Sequence, residues 1–119
     1  MARFLCCLAV SVGLVPAAFA ADVGRLSWYG AELAGRRTAS GEVFDPEAMT
    51  MAHRTLPFGT QVRVVHRGSG RSVVLRVNDR GPFRTDRIAD VSRAAARMLG
   101  TARRGVFDAR LEVLESPSR

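Results

Sequence analysis

Three carboxyl side chains and one imidazole are the groups of this sequence best suited to general acid–base chemistry. Asp79 follows an apolar run of residues. Glu42 and Asp45 lie in the segment bounded by Gly41 and Pro46, and His53 follows a methionine–alanine pair. Carboxylic acids and imidazoles can carry a proton to a leaving group or take one from a nucleophile. Taken singly, each has a structural explanation, since loop acids are often solvated charges and a lone histidine is often a structural residue.

The residues before Asp79 predict that its carboxyl stands at the end of a strand. Residues 72–77 are mainly β-branched and apolar, and Gly81–Pro82 ends the strand because proline has no N–H to donate. In a regular pleat one face is shared by Val73, Leu75, Val77 and Asp79. Partial burial disfavours the charged form of a carboxyl, which suits a proton donor. The alternative is that the Asp79 side chain only stabilises its turn by hydrogen bonds to the backbone, as aspartate and asparagine often do.

The first 20 residues have the pattern of a secretory signal peptide. Arg3 precedes an apolar run that ends in Ala18-Phe19-Ala20, a small-residue cleavage pattern. We therefore expect cleavage after Ala20, leaving residues 21–119 as one exported domain, periplasmic or secreted. Both cysteines lie within the signal peptide. The exported domain is thus expected to have no disulfide, no cysteine nucleophile and no membrane anchor after cleavage.

Charge and composition limit the classes of molecule that the exported domain could bind. The formal net charge is +7, and every basic side chain is an arginine. In an exported protein this favours carboxylate-bearing polymers over nucleic acid, and the aromatic content of 7% is too low for a base-stacking platform. A solvated arginine surface without any partner fits equally well. The sequence shows no metal-ligand spacing, nucleophile elbow or phosphate loop, so we expect no metal and no cofactor. It does not identify a protein partner.

The elements predicted around these residues are short strands, one helix and long loops. Extended segments are predicted at residues 23–29, 60–66, 71–78, 88–91 and 107–114, with the second and third forming a hairpin. Ser92 is a good N-cap for a helix through Leu99 with Gly100 at its stop. The apolar face of that helix is predicted to comprise Val91, Ala94, Ala95, Met98 and Leu99. This pattern suggests a small, mainly β barrel.

The apolar residues of the segment 31–50 have neither helical nor strand periodicity, which predicts a long loop. A long loop in a compact domain is usually functional. This loop carries Glu42 and Asp45, and Trp28-Tyr29 ends the strand before it. Aromatic faces stack on the C–H surface of sugar rings. Carbohydrate is therefore a reasonable ligand class.

Five ordered sequence blocks resemble the RlpA-like (rare lipoprotein A) family and cover nearly all of the exported domain. They are Ser27–Gly30, Gly35–Asp45, Ala52–Thr60, Val77–Phe83 and Asp90–Ala96. The resemblance implies a six-stranded double-psi β-barrel with one short helix. It also implies lytic transglycosylase activity on peptidoglycan glycan strands, with a preference for strands stripped of stem peptides. Such enzymes break the β-1,4 bond between N-acetylmuramic acid and N-acetylglucosamine without water and leave a 1,6-anhydro end.

By block position, the resemblance implies that Asp79 is the catalytic acid and that Glu42 and His53 take part in activity. We predict substrate contacts from Asp45, Trp28, Tyr29, Asn78 and Arg80. Arg80 or Arg36 would clamp the lactyl carboxylate of muramic acid, since a guanidinium pairs with a carboxylate bidentately. Strand alternation places Arg80 on the face opposite Asp79.

Two features depart from many members of that family. Many carry a C-terminal SPOR domain that binds bare glycan, and many are lipoproteins; we expect neither here, because the sequence ends at Arg119 and has no lipobox cysteine. Two other functions stay open. One is a binding module without catalysis, like the expansins, and the other is a glycoside hydrolase that releases reducing ends.

Overall fold

A computed structural model describes residues 22–117 as six strands and one α-helix. The strands are β1 (Asp22–Tyr29), β2 (Thr50–His53), β3 (Gln61–His66), β4 (Ser72–Asp79), β5 (Ala89–Ser92) and β6 (Val106–Glu115). The helix, α1, spans Arg93–Leu99, and a single 3₁₀ turn covers Ala31–Leu33. The predicted signal peptide, residues 1–20, lies outside the described residues.

The six strands close into a barrel in the order β1-β5-β2-β4-β3-β6. Strands β1 and β5 pair in parallel, as do β2 and β4, while the four other pairs are antiparallel. The predicted hairpin of β3 and β4 is confirmed, with Val64 opposite Val73. Because closure removes free sheet edges, the backbone of a small domain is paired without a disulfide. The mainly β barrel with one short helix confirms the predicted fold class.

The barrel interior is filled by alternate side chains of the strands. On β4 the predicted inward row is confirmed, since Val73, Leu75 and Val77 are 7%, 1% and 0% exposed. Other strands contribute fully buried side chains to the same core, including Leu26, Met51, Val62, Val64 and Val91. Asp79 follows this row at the mouth of the barrel and is only half-buried.

Strand β2 was not predicted from the sequence, yet it lies between β5 and β4, antiparallel to β5 and parallel to β4. It has four residues, and its Met-Ala-His sequence has weak β propensity. Its pairing comes from neighbours distant in sequence, because Met51 lies opposite both Val77 and Val91. A short strand defined by long-range pairing leaves little local signal.

The helix begins and ends where the sequence predicts. The Ser92 hydroxyl accepts a hydrogen bond from the Ala95 N–H (3.3 Å), and Gly100 ends the helix with a φ of +79°. The predicted apolar face is partly wrong, because Met98 is 60% exposed whereas Ala96 is buried. The helix packs on β4, β5 and β1, and small alanines at that contact allow close approach. No helix among residues 22–117 is long and apolar enough to cross a membrane.

Replacing Ser92 with alanine is expected to lower the free energy of unfolding by about 1–2 kcal/mol. Its hydroxyl caps the helix and also donates to the Ala48 carbonyl at 2.6 Å, which fastens the long loop to the helix start. Denaturant titration measures the change, with Ser92→Thr as the control that keeps a hydroxyl. Equal midpoints for the alanine variant and the wild type would contradict this role.

Candidate active site

A cavity of about 280 Å³ opens where the ends of β1 and β4 meet the loop that follows β1. Its lining residues are Tyr29, Leu33, Arg36, Arg37, Thr38, Phe44 and Asp79. Asp79 is thus the one of the predicted acid–base residues that lines this cavity. Its Oδ1 atom accepts hydrogen bonds from the Ala39 N–H (2.9 Å) and the Arg80 N–H (2.8 Å). Two backbone donors therefore fix one oxygen of the carboxyl in position.

The loop opposite Asp79 folds back on itself as a small turn. Arg37 and Val43 form an isolated β-bridge, and the Thr38 N–H donates to the Glu42 carbonyl at 2.8 Å. Gly41 has a φ of +96°, which favours glycine and lets the chain reverse there. The reversal at Gly41 explains why glycine lies between Ser40 and Glu42 in this sequence block. It also brings the Ala39 N–H to the Asp79 carboxyl.

Glu42 lies on the same turn but has different partners. Its carboxylate forms a bidentate ion pair with the Arg76 guanidinium and accepts a hydrogen bond from the Asn78 side-chain amide at 3.2 Å. The hydrogen bond from Arg76, with that from Asn78, lowers the pKa of Glu42 against a smaller opposing effect of burial. Glu42 is therefore a fixed negative charge beside the turn that holds Asp79.

Replacing Glu42 with glutamine is expected to reduce stability at neutral pH by less than about 1 kcal/mol, because both side chains of the ion pair are partly exposed to solvent. A lowered pKa in the folded state stabilises the protein above the ordinary value of 4.5, and this contribution is lost as the pH falls through the lower folded value. The gap in unfolding free energy between wild type and variant should shrink below pH 4.5. A gap that is constant from neutral to acidic pH would contradict the ion pair.

His53 is the last residue of β2, and its ring holds the backbone of the turn that follows. Its Nδ1 atom accepts hydrogen bonds from the Thr55 and Leu56 N–H groups, both at 3.1 Å. Burial, together with the charges of Arg54 and Arg80, lowers the pKa of His53, although Asp22 acts in the opposite direction. The neutral ring therefore carries its proton on Nε2. Within residues 22–117, no hydrogen bond joins the His53 side chain to Asp79 or Glu42.

Tyr29 stands in the cavity wall beside Asp79. Its ring stacks on Phe44 with centroids 4.7 Å apart and an interplanar angle of 15°, so that face is closed to a sugar. Its hydroxyl is buried and has no hydrogen-bond partner within residues 22–117. Burial, followed by the negative charges of Asp79 and Asp90, raises the pKa of the phenol. Tyr29 therefore supplies a protonated hydroxyl next to the Asp79 carboxyl.

Three of the predicted substrate contacts have structural partners instead of positions in the cavity wall. The Trp28 indole N–H donates to the Arg104 carbonyl at 3.1 Å, and its ring packs against the core. The Asp45 Oδ1 atom accepts from the Glu47 N–H at 2.9 Å, as a turn-forming aspartate does. The Arg80 guanidinium donates to two backbone carbonyls and lies 4.1 Å from the centre of the Phe58 ring.

Asn78 is buried and reaches the site through Glu42, to which its side-chain amide donates. Its backbone carbonyl also accepts from the Ser40 N–H at 3.3 Å, which ties β4 to the turn. The sequence did not single out Arg37, Thr38 or Phe44, all of which line the cavity. They belong to a block already recognised in the sequence, but spacing in an irregular loop does not show which side chains face inward.

Within residues 22–117, no three side chains of the His, Asp or Glu type lie close enough together to hold a metal ion.

Sequence comparisons find close relatives for most of this chain. A family model described as "Lytic transglycolase" matches residues 21–111. The chain is 58% identical over 93 residues to a Nostoc protein named "Probable endolytic peptidoglycan transglycosylase RlpA", covering 76% of this chain and 25% of that protein. It is 49% identical over 91 residues to "Endolytic peptidoglycan transglycosylase RlpA" of Neisseria meningitidis, covering 76% and 38%. The chain therefore spans only a quarter to two-fifths of these curated relatives.

Solved structures with the same barrel are more distant in sequence. The Streptomyces papain inhibitor matches with a TM-score of 0.65 and 23% identity, covering 80% of this chain and 94% of that one. An expansin of Clavibacter michiganensis matches with a TM-score of 0.66 and 19% identity, covering 83% and 52%. At these identities the likeness shows the barrel fold alone.

Proposed function

Because the chain belongs to the RlpA-like lytic transglycolase family of double-psi β-barrels, we propose that it is an endolytic peptidoglycan transglycosylase. Its substrate would be the glycan strand, and its product a strand with a 1,6-anhydromuramic end. The observation that carries the proposal is the Asp79 carboxyl, which lines a cavity and is fixed there by two backbone N–H groups. A substrate in the cell wall also fits the exported, periplasmic or secreted location expected from the signal peptide.

The proposed reaction needs one carboxyl group that acts twice. Protonated Asp79 donates its proton to the glycosidic oxygen as the bond from that oxygen to the muramic C1 breaks. The resulting carboxylate takes the proton of the C6 hydroxyl while the C6 oxygen bonds to C1. Asp79 is then protonated again, and no water is consumed. The pair of carboxyl groups that a hydrolase uses to activate water is therefore not required.

The contacts of Asp79 suggest which of its atoms carries the proton. Oδ1 already accepts two N–H donors, which favours a carbonyl-like or charged oxygen at that position. The other oxygen is then the one to hold and deliver the proton. The pKa of the neighbouring Tyr29 phenol is raised, so its hydroxyl stays protonated. It can therefore donate a hydrogen bond but does not compete with Asp79 as a base.

The surrounding charges suggest supporting roles. Glu42 is negative and would stabilise the oxocarbenium-like charge or hold the C6 hydroxyl. Arg36 and Arg37 line the cavity, whereas Arg80 is bonded to the turn after β2. Arg36 is thus better placed than Arg80 to bind the lactyl carboxylate of muramic acid. His53 would orient a group through its Nε2–H, since its other ring nitrogen is occupied.

The proposal is tested by digesting peptide-free glycan strands and analysing the products by mass spectrometry. We expect soluble fragments whose muramic ends are one water lighter than reducing ends. Fragments with reducing ends would instead identify a glycoside hydrolase. Retention on insoluble peptidoglycan with no soluble product, while an established transglycosylase is active in parallel, would identify an expansin-like binding module. Either result would overturn the lyase assignment.

A further inference from the structure

A second concave surface lies at the end of the barrel opposite Asp79. It is a groove of about 850 Å³ formed by the β3–β4 turn, the middle of β1, the end of α1 and the start of β6. Strand β4 begins beside this turn at Ser72 and ends at Asp79, seven residues later, which corresponds to roughly 23 Å along the strand. The groove is therefore separate from the candidate active site.

The rim of this groove is positively charged. Arg25, Arg67 and Arg104 line it, and Asp108 is its one acidic lining residue. The nearest approach of that acid is 3.9 Å to Arg25 Nε, and both side chains are more than 60% exposed. Within residues 22–117, neither Arg67 nor Arg104 forms a side-chain ion pair. Several guanidinium groups thus face one concave surface with little compensating charge.

A fourth arginine packs on a lining residue of the groove, and it can do so because residue 100 is a glycine. The Arg71 guanidinium lies against Gly100, where a Cβ atom would be only 2.7 Å from its Nη1 atom. Gly100 also has the positive φ that ends α1, and it lines the groove. The end of the helix and the β3–β4 hairpin therefore meet closely and place a further positive charge beside the groove.

The floor of the groove is partly apolar. Val106 is 38% exposed there, and the His66 ring lies over Phe107 with centroids 5.8 Å apart. The His66 Nδ1 atom accepts from the Ser69 N–H at 3.1 Å, so the Nε2 atom carries a proton and can donate a hydrogen bond. A cationic rim over an apolar floor suits a ligand that carries carboxylates beside short alkyl groups.

We propose that this groove binds the carboxylates of the short peptides attached to peptidoglycan glycan strands. The proposal rests on the proposed function, which supplies the polymer. Guanidinium groups pair bidentately with peptide carboxylates, while the Val106 floor accommodates neighbouring methyl groups. A phosphate polymer would satisfy the rim but leave the apolar floor without a partner. The groove would hold the protein on peptide-bearing wall while the opposite end of the barrel takes a glycan strand.

Binding is measured with Asp79→Asn protein, so that no turnover enters the result. Arg67→Ser/Arg104→Ser is expected to bind insoluble peptide-bearing peptidoglycan about tenfold more weakly, because two rim charges are lost. The same pair should bind peptide-stripped glycan unchanged. The matched control is Arg84→Ser/Arg93→Ser, which removes the same charge from ion pairs elsewhere and should bind both polymers unchanged. Added salt should weaken binding to the peptide-bearing form most strongly.

Equal binding of the groove variant and the control to peptide-bearing material would overturn the proposal. So would competition by a soluble phosphate polymer but not by soluble stem peptides, which would reveal a phosphate site instead. A second measurement is independent of the variants' folding: stem peptides titrated into the Asp79→Asn protein should shift the NMR signals of residues 66–69 and 104–108. Absence of those shifts would also refute it. If the wild type releases no anhydro ends, the proposed activity fails, but the binding results still decide the groove.

Discussion

Replacing Asp79 with asparagine is expected to slow glycan cleavage by about two to four orders of magnitude, because the variant has no transferable proton. The asparagine carbonyl can still accept the Ala39 and Arg80 N–H groups that hold the wild-type carboxyl. The fold should therefore be retained, and the loss should appear in kcat while binding of the strand is largely kept. Release of anhydro ends, followed with time by chromatography and mass spectrometry, measures the effect.

The matched control for this variant is Asp86→Asn, which makes the same chemical change at an exposed ion pair with Arg84. It should cleave glycan at the wild-type rate. If the Asp79 variant still produced anhydro ends at a rate comparable to that of the control, the proton donor would have to be another group. Glu42 would be a poor replacement, because Arg76 and Asn78 hold it in the charged form.

Replacing Leu75 with alanine is expected to lower the free energy of unfolding by about 2–5 kcal/mol. Leu75 is 1% exposed and lies in the middle of β4, opposite Val62 in the barrel interior. Removing its side chain loses buried apolar area and leaves a cavity that a closed barrel cannot easily collapse. A loss of this size is a large share of the stability of a small domain, about 5–15 kcal/mol. Thermal and denaturant unfolding measure it.

The neighbouring Val74 provides the control, since it is 43% exposed and points out of the barrel. Val74→Ala should change the unfolding free energy by no more than about 0.5 kcal/mol. Similar effects of the two substitutions would mean that β4 is not oriented as described, and Asp79 would then be misplaced too.

Local sequence signals predicted the elements that are defined by their own residues. The alternation of β3 and β4 and the glycine-rich turn between them were sufficient to identify the hairpin. Ser92 and Gly100 were sufficient to bound the helix, because each bonds within one turn of it. Strand β2 and the buried face of the helix were not predictable in this way. Both depend on packing against elements that are remote in sequence, as the burial of Ala96 and exposure of Met98 show.

In the candidate site, too, the sequence predicted some features, and others depend on contacts between residues remote in sequence. The order of sequence blocks associated Asp79 with the Glu42 turn, and the structure connects them through Ala39 and Asn78. The partners of His53 and Arg80 are backbone groups of the turn after β2. Residue type and spacing do not distinguish a side chain that binds backbone from one that faces a ligand. Their roles in catalysis stay predictions, as do those of the other residues proposed to contact substrate.

The central claim, that the C6 hydroxyl and not water attacks the muramic carbon, is tested most directly by carrying out the digestion in water enriched in heavy oxygen. We predict that the new muramic ends contain no heavy oxygen, because Asp79 transfers a proton within the substrate and the ring closes intramolecularly. One heavy oxygen atom at each newly formed end would contradict this account and show hydrolysis.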